Sequence, residues 1–233
     1  MNELEFDFDD SFEDFELDLE AEFDSRYIKP PRTKELSEEQ LKYSDAKKLA
    51  KKIKVTPESR YFVVVNGSFY FGDFIEALVV ENNWHIRKMT ISTLSLCQNN
   101  VDSLANLLNG KYVDELNLIL SDYFFSHERQ GLIPYIYEIL DIDNRFQLAV
   151  ASTHCKICMF ETHCGKKVVM HGSANLRSSS NIEQIVVEES KALYDFNDEY
   201  QSRIIEKYHT INKSLRRKAL WHQVVTVQEE EAG

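Results

Sequence analysis

Residues 153–184 read THCKICMFETHCGKKVVMHGSANLRSSSNIEQ, and their pattern decides the fold. Side chains two apart on a strand share a face. His154 and Lys156 are therefore expected to project together, with Cys155 and Ile157 on the other face. Gly165 marks a predicted hairpin turn. Lys167–His171 is predicted to return as a second strand and deliver Ser173 and Asn175 to the end that carries His154 and Lys156. A nucleophile or base, a cation and a small polar pair then meet at one place.

That assembly suits a phosphodiester. A neutral imidazole attacks phosphorus and forms a covalent phosphohistidine. A lysine ammonium and an asparagine amide stabilise charge on the non-bridging oxygens. Backbone N–H groups near Gly172 and Ser173 add to this. With protein groups doing this work, neither a metal nor another cofactor is expected.

Outward from this stretch, strands and helices alternate. Tyr61–Asn66 (YFVVVN) is apolar and β-branched and reads as a buried strand. Asn66-Gly67 reads as a turn, with Ser68 and Asp73 beside it. Phe71–Val80 is predicted helical, His85–Leu96 a strand, and Val101–Leu108 a helix stopped by Asn109-Gly110. Val113–Ser121 reads as a strand, His127–Leu140 as one helix, and Arg145–Ala151 as a strand. After residue 188 the chain is charged and helix-prone to about Leu220. The alternation predicts an α/β fold on a mixed sheet.

Residues 154–175 also carry a resemblance. His154-x-Lys156-x4-Glu161, followed by Gly172-Ser173-x-Asn175, resembles the signature of the phospholipase D superfamily, His-x-Lys-x4-Asp and then Gly-Ser-x-Asn. The likeness covers roughly residues 58–190, and its style is that of the single-motif members, the Nuc-type endonucleases and phage or mobile-element proteins. It implies a mixed sheet flanked by helices, a nucleophilic His154, and a phosphate gripped by Lys156 and Asn175 beside Ser173. Glu161 stands where the family has Asp, with a mainly structural, ion-pairing role. Glu183 matches the trailing acid that orients the histidine. Ten residues separate Glu161 from Gly172, which implies a long hairpin.

Only one such motif is present; His85-Ile86-Arg87 is the nearest second candidate and lacks the rest. Family members with two motifs use one histidine as nucleophile and the other as general acid. A single-motif chain is expected to work as a homodimer, with His154 of each copy meeting across a two-fold axis. The expected substrate is nucleic acid, with DNA favoured. The alternative is a non-catalytic nucleic-acid-binding or assembly module on the same fold that recruits a partner through its acidic tail, residues 1–24.

The net charge of −12, from 27 Lys+Arg and 39 Asp+Glu, is one tail. Residues 1–24 hold 12 acidic residues and no basic ones, so the remainder is neutral, with 27 of each. Low overall pI therefore does not exclude phosphate binding by the body. The tail alternates carboxylates with Phe6, Phe8, Phe12, Phe15, Leu17, Leu19 and Phe23. It reads as a disordered acidic-hydrophobic segment that binds a protein partner or occupies a phosphate groove, or else as a solvated appendage.

Pro30-Pro31 marks a linker, and Ser37 with Gln40 opens a helix over about 38–53 carrying Lys42, Lys47, Lys48, Lys51 and Lys52. The expected domains are a tail and linker at 1–34, a lysine-rich helix at 35–56, the phospholipase D-like body at 57–190 and a helical extension at 191–233.

No apolar run of membrane-spanning length and no secretory leader is expected. Four cysteines, three of them clustered, fit a reducing, cytoplasmic compartment better than a disulfide framework. A rival site is zinc, held by Cys155, Cys158, His163 and Cys164. His171 reads as packing beside Gly172. His127, His209 and His222 belong to no visible constellation. Ser178–Ser180 after Arg177 reads as a polar loop shaping access to the site.

Overall fold

Hydrophobic content of 43% is enough for a sheet buried on both faces, and the strands follow the apolar runs. The computed structural model describes residues 38–211, apart from Glu58, Asn66, Ser68 and 178–180, with side chains from Asp45 onward. The acidic tail, the linker, Lys42, the Asn66 and Ser68 side chains, the serine loop and the chain beyond Ile211, with His222, lie outside these residues.

In chain order the elements are α1 (Glu38–Lys52), β1 (Arg60–Val65), α2 (Phe71–Glu81), β2 (Ile86–Thr93), α3 (Gln98–Asn109), β3 (Val113–Ser121), α4 (Asp122–His127), α5 (Leu132–Leu140), β4 (Phe146–Ala151), β5 (Ile157–Thr162), β6 (Lys167–Gly172), β7 (Glu183–Glu189) and α6 (Lys191–Tyr208). The fold is α/β, one mixed seven-stranded sheet in the order β1-β7-β6-β5-β2-β3-β4, flanked by helices. β2, β3 and β4 are parallel and joined by helical crossovers. β5, β6, β7 and β1 are antiparallel, and β5 joins the two halves by pairing with β2. Gly165 at φ +83° makes the β5–β6 turn, a conformation that a Cβ resists.

The main core lies on the face under α1, α2, α3 and α5 and includes Leu49, Ile53, Phe74, Leu104, Ile136 and Phe160. Lysines do not set α1 apart. Ala46, Leu49 and Ala50 are buried, and Lys47 reaches Glu81 of α2 at 3.0 Å. The other face is covered by α6, where Tyr194 packs on Met159 and Val169 and Lys88 reaches Asp198 at 2.9 Å. Among the described residues no helix is long and apolar enough to cross a membrane.

Two expectations are corrected, and one further strand is found. His127–Leu140 is not one helix: α4 ends at His127 and α5 begins at Leu132. Pro134 sits in the first turn of α5, where its missing N–H costs nothing, and its ring would clash with a helix continuing back through Gln130. Residues 153–156 are not strand; β5 starts at Ile157, so His154 and Lys156 stand on the loop that enters it. β7 was not expected, because only Ile185-Val186-Val187 separates its acidic ends. α6 ends at Tyr208, and the rest of the stretch expected to be helix-prone to about Leu220 lies, from residue 212 on, outside the described residues. His209 bridges Ala149, and Thr210 N donates to the Leu148 carbonyl at 2.8 Å, on the edge of β4.

Between α2 and α3, Glu76 and Asp73 are buried one turn apart. Ser103 donates to Asp73 at 2.7 Å and Asn106 to Glu76 at 3.2 Å. Burial pushes Glu76 up to about 6, with the Asp73 charge adding to it. A raised folded-state pKa favours folding while the group is protonated, so stability falls as pH rises from about 4.5 to 6. Glu76→Gln removes that fall. In urea titrations, the variant should gain on the parent by on the order of 1 kcal/mol between pH 4 and pH 7. A constant difference across that range would overturn this account.

Candidate functional site

The strand directions bring several chain segments to one end of the sheet. β5 is antiparallel to β2 and β6, and β7 is antiparallel to β6 and β1. The start of β5, the ends of β2 and β6, the start of β7 and the end of β1 therefore lie together. His154 and Lys156 precede β5, Gly172 ends β6 with Ser173 next after it, and Glu183 opens β7.

The contacts tie these segments into one unit. Lys156 Nζ lies 3.2 Å from His154 Nδ1 and 3.1 Å from the His154 carbonyl oxygen. Gly172 N donates to the Lys156 carbonyl at 3.3 Å, so the two motif segments continue the β5–β6 ladder side by side. Ser173 N donates to the Gln184 carbonyl at 2.9 Å, and the Ser173 hydroxyl accepts from Gln184 N at 3.0 Å while donating to the Glu183 carboxylate.

Gly172 is required by space rather than by φ. A Cβ there would lie 2.0 Å from the Gln184 carbonyl oxygen. Asn175 accepts through Oδ1 from Leu94 N at 3.3 Å, at the end of β2. Its Nδ2 has no partner among the described residues, and Asn175 lines a narrow crevice with Val65, Phe69, Ala174, Arg177 and Glu183.

His154 is exposed and Lys156 half-buried. Neither Lys156 nor Arg177 forms an ion pair among the described residues. Lysine has only protons to give, so in this contact His154 Nδ1 is the acceptor.

Two of the expected site residues stand apart from His154. Glu161 lies five residues along β5 from Lys156, about 16 Å at strand rise, where it pairs with Arg87 across from β2. Glu183 is at the site end, but its contact is Ser173, and no hydrogen bond joins it to His154 among the described residues.

The zinc ligands are scattered by the strand. Cys155 is exposed at one end of β5, Cys164 is exposed at the other, and Cys158 is fully buried between them, where burial pushes its thiol up. His163 is held by Asp114 at 2.6 Å. Among the described residues no three His, Cys, Asp or Glu side chains are placed to share a metal ion. His171 faces Glu188 at 3.5 Å on the α6 side of the sheet. His127 and His209 bond to backbone carbonyls of their own helices. His85 stacks on Tyr112 at the far end of β2.

Sequence reasoning did not anticipate Tyr200, Thr93 or Arg177. Tyr200, on α6, stands against the 153–156 loop; burial of its hydroxyl, helped by the neighbouring Cys155 thiol, pushes it up. Thr93 Oγ1 accepts from Leu176 N at 3.3 Å and so holds the far side of the Asn175 loop. No local pattern marks the first two, since only the strand order brings them near. Arg177 is two residues from Asn175, and that proximity was the available signal.

No family model matches the sequence, and no curated protein matches it. The structure is similar to several solved structures, one of them described as a phospholipase D family member. Against the family member Nuc from Salmonella typhimurium the TM-score is 0.45 at 15% identity, covering 62% of this chain and 93% of that one. Against NucT from Helicobacter pylori it is 0.48 at 14% identity, covering 64% and 96%. Against phosphatidylserine synthase from Haemophilus influenzae Rd KW20 it is 0.43 at 14% identity, covering 75% and 46%.

The close approach at Gly172 yields a test. Gly172→Ala should cost about 1–3 kcal/mol, as other overpacked sites do, and should separate Ser173 from the start of β7. Denaturant unfolding reports the first effect, and hydrogen exchange of the Gln184 amide the second. Unchanged stability with a protected Gln184 amide would refute the tight contact.

Proposed function

We propose that this protein is a metal-independent phosphodiesterase, a nuclease with DNA favoured as substrate, acting through a phosphohistidine at His154. The observation that supports it is the His154–Lys156 pair, strapped through the Lys156 carbonyl to Gly172 and thus to the Ser173–Asn175 segment. In the proposed reaction the Lys156 ammonium leaves the imidazole for a non-bridging phosphate oxygen. The ring then takes the tautomer with its lone pair on Nε2, its Nδ1–H directed to a carboxylate, for which Glu183 is the candidate. Nε2 attacks phosphorus, the P–N bond forms, and the P–O bond to the leaving group breaks. The leaving oxygen takes a proton from a general acid.

His154 of a second copy is the proposed acid. Later it accepts a proton from the water that breaks the P–N bond. Asn175 Nδ2 and Lys156 stabilise the developing charge. The reading therefore includes a homodimer with the two sites at a shared two-fold axis. Ser173 and Glu183 act as positioning residues. Glu161 holds β5 to β2 through Arg87.

The test is cleavage of a single-stranded oligonucleotide and a chromogenic nitrophenyl phosphodiester in EDTA. His154→Ala should abolish both, and Lys156→Gln should lower kcat by about 10²–10³-fold. Acid-quenched wild type should carry phosphate on histidine. Activity per chain should fall on dilution as the dimer dissociates, and an active monomer would sink the shared site. Cleavage surviving in His154→Ala would end the mechanism. Nucleic-acid binding without any cleavage by the wild type would establish the non-catalytic module instead.

A further inference from the structure

Arg177 lines two cavities. One is the crevice with Asn175 and Glu183; the other is a larger open groove running away from it. That groove passes between the loop before α2, the start of α3 and the turn joining α4 to α5. Its walls include Tyr70, Leu96, Leu132 and Tyr135. The Tyr135 hydroxyl donates to Asp102 of α3 at 2.5 Å, which fixes that side chain across the α3–α5 seam. Arg177 is exposed and makes no ion pair among the described residues, while Glu128, also lining the groove, accepts from Leu132 N.

We infer that this groove is a subsite for a single nucleic-acid strand, binding the nucleotides that flank the reacting phosphate. The inference rests on the phosphodiesterase reading of the His154 site and names its substrate form. Two aromatic side chains with aliphatic neighbours give surfaces on which unpaired bases stack, and stacking tolerates any base. Arg177, between groove and crevice, supplies the cation for the phosphate next to the scissile one.

The charge pattern selects one strand over two. A single backbone passes Arg177 and carries its bases toward Tyr70 and Tyr135. A duplex would bring a second phosphate chain against Glu128 and the Asp102–Tyr135 pair, where like charge repels it. Paired bases would also have no free faces to offer the rings.

Binding is measured by fluorescence anisotropy in the full-length His154→Ala protein at low salt, so that catalysis plays no part. The probes are a short dye-labelled single-stranded oligodeoxynucleotide, the same strand with abasic sites, and its duplex. Tyr135→Leu and Arg177→Gln are compared with Tyr135→Phe, which keeps the ring and loses only the bond to Asp102. The intact single strand should bind roughly tenfold more tightly than the abasic one. Tyr135→Leu should weaken the intact strand part of the way to the abasic level, Tyr70 keeping the rest, and leave abasic binding unchanged, and Tyr135→Phe should restore most of the loss. Arg177→Gln should weaken both single strands and flatten the salt dependence.

Equal affinity for intact and abasic strands, or duplex binding as tight as single-strand binding, would overturn the subsite. So would Tyr135→Leu binding as tightly as its parent while circular dichroism reports a native fold. A Tyr135→Leu protein that fails to fold leaves the intact-versus-abasic comparison and Arg177→Gln to decide. Nitrophenyl diester cleavage by the wild type with no strand preference would leave the His154 chemistry standing and remove the subsite. Base-dependent strand binding without cleavage would do the reverse.

Discussion

The carbonyl of Leu176 is where the site and the fold meet. It is buried, and it accepts from Phe71 N at 3.0 Å, Gly72 N at 3.3 Å and Asn100 Nδ2 at 3.0 Å. The first turn of a helix leaves N–H groups without intrahelical partners, and here one loop carbonyl satisfies two of them for α2. Asn100 reaches the same oxygen from α3, and its Oδ1 accepts from Cys97 N at 2.9 Å. A Cβ on Gly72 would come within 2.7 Å of Asn100 Nδ2, so the approach of the two helices depends on that glycine. The loop after Gly172 is thus clamped between two helix starts, and a buried polar hub of this kind is costly to leave unsatisfied.

From that clamp the rest of the arrangement follows. Leu176 N on Thr93 and Asn175 Oδ1 on Leu94 N fix the loop to the end of β2, and Ser121 Oγ holds the Leu94 carbonyl from β3. β2 and β3 are parallel, and β2 and β5 antiparallel, so the carboxyl ends of the parallel strands face the segment that enters β5. A polar cleft at the carboxyl ends of strands, where the sheet changes its connectivity, is the usual place for a ligand in open α/β sheets. Here the change is from parallel to antiparallel pairing at β2–β5, and His154 stands at it. The 153–156 loop is short and held at both ends by strands, so its side chains are aimed by the sheet rather than by their own backbone pattern.

Much of this was legible because the strands on the parallel side are apolar and β-branched. β3 runs from Val113 to Ser121 as read, and β1 and β2 differ from their expected limits by a few residues. β7 was not legible, although it lies inside the sheet between β1 and β6. Its terminal acids look like a loop in isolation. In the fold Glu188 meets Arg60 at 2.7 Å and Glu189 meets Lys166, both across strand pairs that local sequence cannot reveal. The same limit applies to the site. His154, Lys156, Ser173 and Asn175 are close in sequence, which is why the pattern marks them as one candidate group. The groove was not readable, because Tyr70 and Tyr135 meet only through the packing of α2, α3 and α5. The loop at 153–156 was misread as strand because His-x-Lys alternation looks the same in any extended chain.

Charge pairing separates the site end of the sheet from the cations along its strands. Arg60, Arg87, Lys88, Lys166 and Lys167 each face a carboxylate on a neighbouring element. Such pairs add little where they are exposed, yet they occupy the cation. Lys156 and Arg177 face none among the described residues, and both stand at the site end of the sheet. An anion arriving there would not have to displace a protein carboxylate from either cation. The neutral count of 27 acids and 27 bases outside residues 1–24 conceals this. Balance across the body is compatible with an anion site because binding depends on which cations are left unpaired, not on their sum.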